Sequence, residues 1–122
     1  MKDNDRNNPL KDKSYQFALR AIRLYKHLSG EQREYVLSKQ ILRSGTSIGA
    51  NICEGNRAQS KVDFVHKLSI ALKEADETEY WLNLLRDSDY ITLDQAGSML
   101  TDCSELQRLL ISSIKTARSK LK

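Results

Sequence analysis

The sequence predicts an all-α domain, an antiparallel up-down-up-down bundle of four helices. Four successive stretches carry apolar residues at the spacing of one helix face, and none shows the alternation of a β-strand. Helix breakers are scarce, with one proline, Pro9, and five glycines in 122 residues. The connections between the four stretches are short, which makes neighbouring helices antiparallel.

The length and composition predict one globular domain. The chain is 39% hydrophobic and 30% charged, a balance that excludes a disordered protein. We expect residues 1–13 to form a flexible N-terminal tail and residues 14–122 to form the bundle. No apolar run approaches a membrane span, and the first residues lack the apolar core of a signal peptide, which predicts a cytoplasmic protein.

The first two predicted helices meet at a sharp turn. Helix 1 spans about residues 14–29 and helix 2 about residues 31–56. Ser29 and Gln32 have the spacing of a capping box, in which each side chain binds the other residue's backbone N–H. Helix 2 carries many small residues at its centre, and Gly45 and Gly49 there indicate close approach of another helix.

The last two predicted helices have clear start signals. Helix 3 spans about residues 61–87 after the N-cap Ser60, and helix 4 spans about residues 93–121. Thr92 and Gln95 form a second predicted capping box.

Several apolar residues lie off the predicted core stripes and indicate self-association. Aromatic residues are enriched at protein interfaces, and the only tryptophan is among this group. The off-core residues are Leu19, Ile70, Trp81, Leu84, Leu109 and Ile111. For the oligomer interface we predict Ile70, Trp81 and Leu84.

Motifs for catalysis or metal binding lack their structural context. Gly45 to Gly49 match G-x-S-x-G, but a nucleophile elbow needs a strand before the serine, and Ser47 lies inside a helical pattern. Asp63 and His66 form one D-x-x-H, whereas di-iron bundles need two such motifs. The widely separated Cys53 and Cys103 predict two reduced, buried cysteines. We therefore expect no enzyme activity, small-molecule substrate, metal or cofactor.

The basic residues suggest binding of nucleic acid. The formal net charge is +4, and helix 1 has no acidic residue between Ser14 and Ser29. Lysine and arginine side chains repeated in an oligomer would attract phosphates without reading bases. The predicted contacts are Arg20, Arg23, Lys26, Lys115, Arg118 and Lys120. An alternative is a protein-interaction scaffold without a nucleic-acid role, which would bind its partner through the off-core apolar residues.

One segment carries a specific resemblance. Residues 43–55 read R-S-G-T-S-I-G-A-N-I-C-E-G, with the pattern R-S-G-x-S-I-x-A-N-I-x-E-G. The residues assigned to this motif and to helix packing are Arg43, Ser44, Gly45, Ser47, Ile48, Gly49, Ala50, Asn51, Glu54 and Gly55. Helix 1 and the A-x-x-E-T-x-Y-W-L character of residues 75–82 extend the match. The chain resembles the four-helix-bundle family encoded in intervening sequences of bacterial 23S ribosomal RNA genes, formerly labelled a ribosomal protein.

The resemblance implies a four-helix bundle that forms homopentameric rings and has no catalytic activity. A related branch resembles accessory proteins of diversity-generating retroelements, basic bundles that bind nucleic acid and a reverse transcriptase. One helical stripe at 4, 3, 4, 3 spacing, which we expect to help fix the arrangement of subunits, is formed by Arg43, Ser47, Ala50, Glu54 and Arg57. The prediction that follows is a cytoplasmic homo-oligomer that binds structured RNA or other nucleic acid, RNA or DNA, through its basic surface.

Overall fold

The computed structural model describes residues 8–121, and most of them are helical. The four helices are α1 (Pro9–Gly30), α2 (Leu37–Asn56), α3 (Lys61–Asp87) and α4 (Leu93–Ser119). No strand occurs within residues 8–121, so the all-α prediction is confirmed.

One hydrophobic core joins all four helices. Each helix packs against the next along the chain, and α4 also contacts α1. Residues fully buried in this core come from every helix, for example Phe17, Leu28, Ile41, Ile48, Leu68, Leu82, Leu106 and Leu110. Burying one such side chain contributes about 1.5–3 kcal/mol, so the shared core accounts for much of the stability of the domain.

The helix α1 begins earlier than predicted, because the chain carries a start signal at Asn8 and Pro9. The Asn8 side chain accepts a hydrogen bond from the backbone N–H of Lys11 (3.1 Å), and Pro9 occupies the first helical position. The predicted tail of residues 1–13 is therefore too long at its C-terminal end. Residues 1–7 lie outside the described part of the chain.

The predicted start of α2 is wrong, since Ser29 and Gln32 form no capping box. The Ser29 hydroxyl donates to the carbonyl of Tyr25 (2.8 Å), and the Gln32 amide donates to the carbonyl of Tyr90 (2.9 Å). Gln32 thus ties the first connection to the connection between α3 and α4. The helix begins only at Leu37.

The carboxylate of Glu34 caps α2 in place of the predicted serine. It accepts the backbone N–H groups of Val36, Leu37 and Ser38 at 3.2, 2.9 and 2.7 Å. These groups have no partner inside the helix, and a negative charge suits the positive end of the helix dipole. Partial burial raises the pKa of the Glu34 carboxyl, but the hydrogen bonds from the backbone outweigh burial and lower its pKa below the ordinary value of a glutamate.

The starts of α3 and α4 agree with the sequence. The Ser60 hydroxyl accepts from the N–H of Asp63 (3.1 Å). Thr92 and Gln95 form the reciprocal capping box, at 3.1 and 2.9 Å. Both signals are local, so neighbouring helices do not alter them.

Among residues 8–121, no helix has the length and apolarity needed to cross a lipid bilayer.

We expect Glu34→Gln to lower the free energy of unfolding by about 1 kcal/mol at neutral pH, the usual cost of losing a helix cap. Since the pKa of Glu34 is depressed in the folded state, its contribution exists above the unfolded pKa and is lost as pH falls through the folded pKa. Urea unfolding followed by circular dichroism at pH 7 and about pH 3 measures this difference.

The matched control is Glu31→Gln, because the exposed Glu31 binds His27 rather than backbone N–H groups. Its effect should stay within about 0.5 kcal/mol. An equal loss for Glu34→Gln at both pH values would contradict the role of the charge.

Candidate nucleic-acid interface

Arg20 faces α4, and its guanidinium group is bound within the chain. Nη1 lies 2.6 Å from Oδ2 of Asp102, and Nη2 donates to the Ser98 hydroxyl at 2.9 Å. These bonds hold α1 against α4 and use part of the charge of Arg20. Of the predicted phosphate contacts, Arg20 has the strongest role within the fold.

Arg23 and Lys26 are exposed on α1, and their side chains form no hydrogen bond or ion pair with residues 8–121. Arg23 lines a cleft of about 240 Å³ with Arg20, His27 and residues of α4. His27 itself lies 2.8 Å from a carboxylate oxygen of Glu31. The C-terminal half of α1 therefore presents two cations to solvent.

Lys115, Arg118 and Lys120 are exposed at the C-terminal end of α4 and just beyond it. They too have no ion-pair partner in the described part of the chain. Cations at this position suit the negative end of the helix dipole.

The two basic sets do not come together in one chain. Lys13 pairs with Glu105 (3.2 Å) and Arg20 with Asp102, so contacts along α1 and α4 run in opposite order. Arg118 lies sixteen residues beyond Asp102, which at 1.5 Å per residue is about 24 Å along α4. The α1 set and the α4 set therefore lie toward opposite ends of the bundle.

The glycines of the motif set the spacing between helices within one chain. A Cβ atom at Gly45 would lie 2.7 Å from the Cβ of Ala21, and one at Gly49 would lie 3.3 Å from the hydroxyl of Ser14. Both glycines face α1, whereas Gly55 faces Lys67 and its neighbours on α3. The close approach that the sequence indicated is thus made by helices of the same chain.

The small polar residues of the motif form hydrogen bonds inside the bundle. The hydroxyls of Ser44 and Thr78 bond at 2.9 Å, and both side chains are fully buried. Ser47 donates to the carbonyl of Arg43 (2.6 Å), and the Asn51 amide donates to the carbonyl of Ser47 (2.8 Å). Ser47 is flanked by helix on both sides, so it does not lie at a strand-to-helix turn.

Arg43 organises a polar network on the outer side of α2 and α3. Its guanidinium pairs with Glu74 (3.3 Å) and with Glu77, whose carboxylate also accepts the indole N–H of Trp81 (2.9 Å). Further along α2, Glu54 pairs with Lys67 (2.9 Å), and this hydrogen bond raises the pKa of Lys67. Arg43 and Glu54 of the predicted stripe thus bind α3 of the same chain.

The predicted interface residues share one stripe with this network. Ile70, Trp81 and Leu84 are half-buried, and their spacing from Glu77 is that of one helix face. We call this surface the α2–α3 face, defined by Arg43, Glu77, Ile70, Trp81 and Leu84.

The two cysteines differ, which corrects the expectation that both are buried. Both thiols are free; Cys103 is buried and Cys53 is exposed. Burial raises the pKa of the Cys103 thiol to about 12, and the carboxylates of Glu79 and Asp76 add to the shift.

Among residues 8–121, no group of three or more histidine, cysteine or acidic residues is placed to hold a metal ion.

A groove between α1 and α2 was not singled out by the sequence. Its volume is about 330 Å³, and its lining is mostly apolar. The lining residues are Lys11, Asp12, Ser14, Tyr15, Gln16, Ala18, Thr46, Gly49, Ala50 and Cys53. The sequence did not predict that Tyr15 and Cys53 line the same groove, because the two residues are distant in the chain.

The fold and the motif define a class of small helical protein with close packing of α1 on α2. Residues 6–112 match the family described as 23S rRNA-intervening sequence protein. The chain belongs to this family, as the resemblance of residues 43–55 predicted.

A solved structure supports the same assignment. It is a Bacteroides thetaiotaomicron VPI-5482 protein described as having unknown function and as coming from the S23 ribosomal protein family. It is 61% identical, with a TM-score of 0.86, over 87% of this chain and 98% of that chain. No curated protein shows significant sequence similarity to the chain.

We expect Gly45→Ala to lower the free energy of unfolding by about 1 kcal/mol. Overpacking against Ala21 costs about 1–3 kcal/mol, which exceeds the gain of about 1 kcal/mol in helix propensity. Chemical denaturation at neutral pH measures the change.

Gly97→Ala is the matched control, because no atom lies within 4 Å of a Cβ added there. This exposed helical substitution should stabilise the protein by about 0.5–1 kcal/mol. If both substitutions stabilise the protein equally, Gly45 does not set the distance between α1 and α2.

Proposed function

We propose that the protein is a non-catalytic homo-oligomer whose basic surface binds structured RNA or other nucleic acid in the cytoplasm. The proposal rests on the exposure of the predicted cations and on their lack of ion-pair partners. Five of the six are exposed and have no ion-pair partner within residues 8–121: Arg23, Lys26, Lys115, Arg118 and Lys120. Unpaired cations can bind phosphates without first breaking an ion pair.

Assembly would multiply the two separated basic sets. A single chain presents only two or three cations at each end, whereas a ring repeats both sets. We propose an up-down-up-down bundle, which the reversed order of contacts between α1 and α4 supports, and a pentameric ring, which the resemblance supports. The α2–α3 face is our candidate for the contact between copies, since Trp81 and Leu84 keep part of their apolar surface exposed.

The polar groups that would be candidates for catalysis have roles within the helices. The Ser47 hydroxyl donates to a backbone carbonyl, and Glu74 and Glu77 pair with Arg43. These contacts support a binding protein over a hydrolase or an acid–base catalyst.

A second candidate function is a protein-interaction scaffold, for example for a reverse transcriptase. Large apolar side chains are strongly exposed on α3 and α4: Tyr80 by 58%, Leu93 by 77% and Ile111 by 54%. A partner bound through these residues would stay bound as salt rises, whereas phosphate contacts weaken with salt.

The test is binding of a fluorescent ribosomal RNA hairpin to the purified protein over a range of salt concentrations. We expect the logarithm of affinity to fall linearly with the logarithm of salt. Arg118→Gln should weaken binding and reduce the slope by about one unit if Arg118 contacts one phosphate.

Arg86→Gln is the control, because its guanidinium already binds Asp87 at 2.8 Å. It should leave both the affinity and the slope unchanged. Absence of binding at low salt would reject this proposal for that class of RNA and favour the scaffold.

A further inference from the structure

We infer that the groove between α1 and α2 holds a single-stranded segment of RNA, with bases on its apolar floor and phosphates at its basic ends. The inference rests on the proposed function and gives it a second, more specific site. Of the six cations that the sequence predicted to contact phosphates, Lys26 is the one that lies on this surface.

The floor of the groove combines an exposed aromatic ring with small side chains. Tyr15 is 62% exposed, and Ala18, Ala50 and Cys53 line the same groove beside it. Aromatic side chains that stack on bases are a common device of single-strand binding proteins, because every base has a flat face. Because Gly49 has no side chain, this part of the groove floor stays open.

Helical spacing extends the groove beyond its central cavity. On α2, Lys39 lies seven residues before Thr46 and Thr46 seven before Cys53, so the three share a face. Arg57, the residue just after α2, follows Cys53 by four residues and lies at the end of this face. On α1, Lys26 lies eleven residues, or three turns, after Tyr15.

The length of this surface fits a short single strand. Lys39 and Arg57 are eighteen residues apart, which corresponds to about 27 Å along α2. Single-strand binding sites span about 4–16 nucleotides, so the groove suits the short end of this range.

The charges at the groove complement a polyanion. Lys26, Lys39 and Arg57 are exposed and have no ion-pair partner in the described chain. The one acidic residue among those lining the cavity is Asp12. Glu54, the only carboxylate within α2, is paired with Lys67 of α3. Cations toward both ends of the groove and an exposed tyrosine on its floor favour nucleic acid over an apolar protein segment.

Cys53 provides a built-in reporter for the groove. It lies on the floor and is exposed, whereas Cys103 is buried and holds its proton up to high pH. Thiolates react with maleimides and thiols do not, so a maleimide should label Cys53 selectively in the folded protein.

The experiment measures the rate of Cys53 alkylation with and without an oligouridine of about 12 nucleotides. With the oligonucleotide at about ten times its Kd, the rate should fall about tenfold, because only about a tenth of the protein remains free. Tyr15→Ala should weaken binding of the oligonucleotide about fivefold or more, through loss of one stacked base. Val62→Ala removes a comparably exposed apolar side chain (66%) from α3 and should leave binding unchanged.

The outcomes separate this inference from the proposed function. If the protein binds RNA but Cys53 stays fully reactive, the groove is not the site, and the proposed function stands. If no RNA binds at low salt, the proposed function fails and the inference fails with it. If Cys53 becomes protected without RNA as protein concentration rises, the groove is a contact between copies, and the inference is overturned.

Discussion

The close approach of α1 to α2 governs most of the architecture. At Gly45 the two helices are so near that even a methyl group would lie 2.7 Å from Ala21, and Gly49 meets the backbone of Ser14. This contact buries Phe17, Ile41 and Ile48 beneath it and leaves a shallow open groove above it. The same small residues therefore determine both the packing of the first helix pair and the shape of its outer surface.

The helix α2 has a different chemistry toward each neighbour. Toward α1 it presents glycines, whereas toward α3 it presents Arg43, Ser44 and Glu54, each bound to a partner on α3. Apolar packing alone tolerates small shifts of one helix along another, but polar contacts at two separate heights, at Arg43 and Ser44 and at Glu54, specify one register. The surface pairs contribute little stability each, so their main effect is on the alignment of α2 and α3.

Sequence reasoning predicted the elements whose causes are local. The apolar period gave four helices, and Ser60 and Thr92 cap the last two as expected. The start of α2 was missed because Gln32 binds Tyr90 across the molecule and Glu34 reaches forward to the helix end. For the candidate site, exposure of Arg23 and Lys26 follows from the helical face. The pairing of Arg20 with Asp102, and the separation of the α1 and α4 sets, depend on how α4 meets α1, which the sequence alone does not reveal.

In the proposed function, one particle both assembles and binds RNA. Sedimentation of the protein mixed with a labelled ribosomal RNA hairpin at low salt, followed at the wavelength of the label, tests both parts together. If the protein assembles and binds RNA, the RNA sediments with a particle containing several 14.0 kDa chains. RNA that sediments alone, or with a single chain, would contradict it.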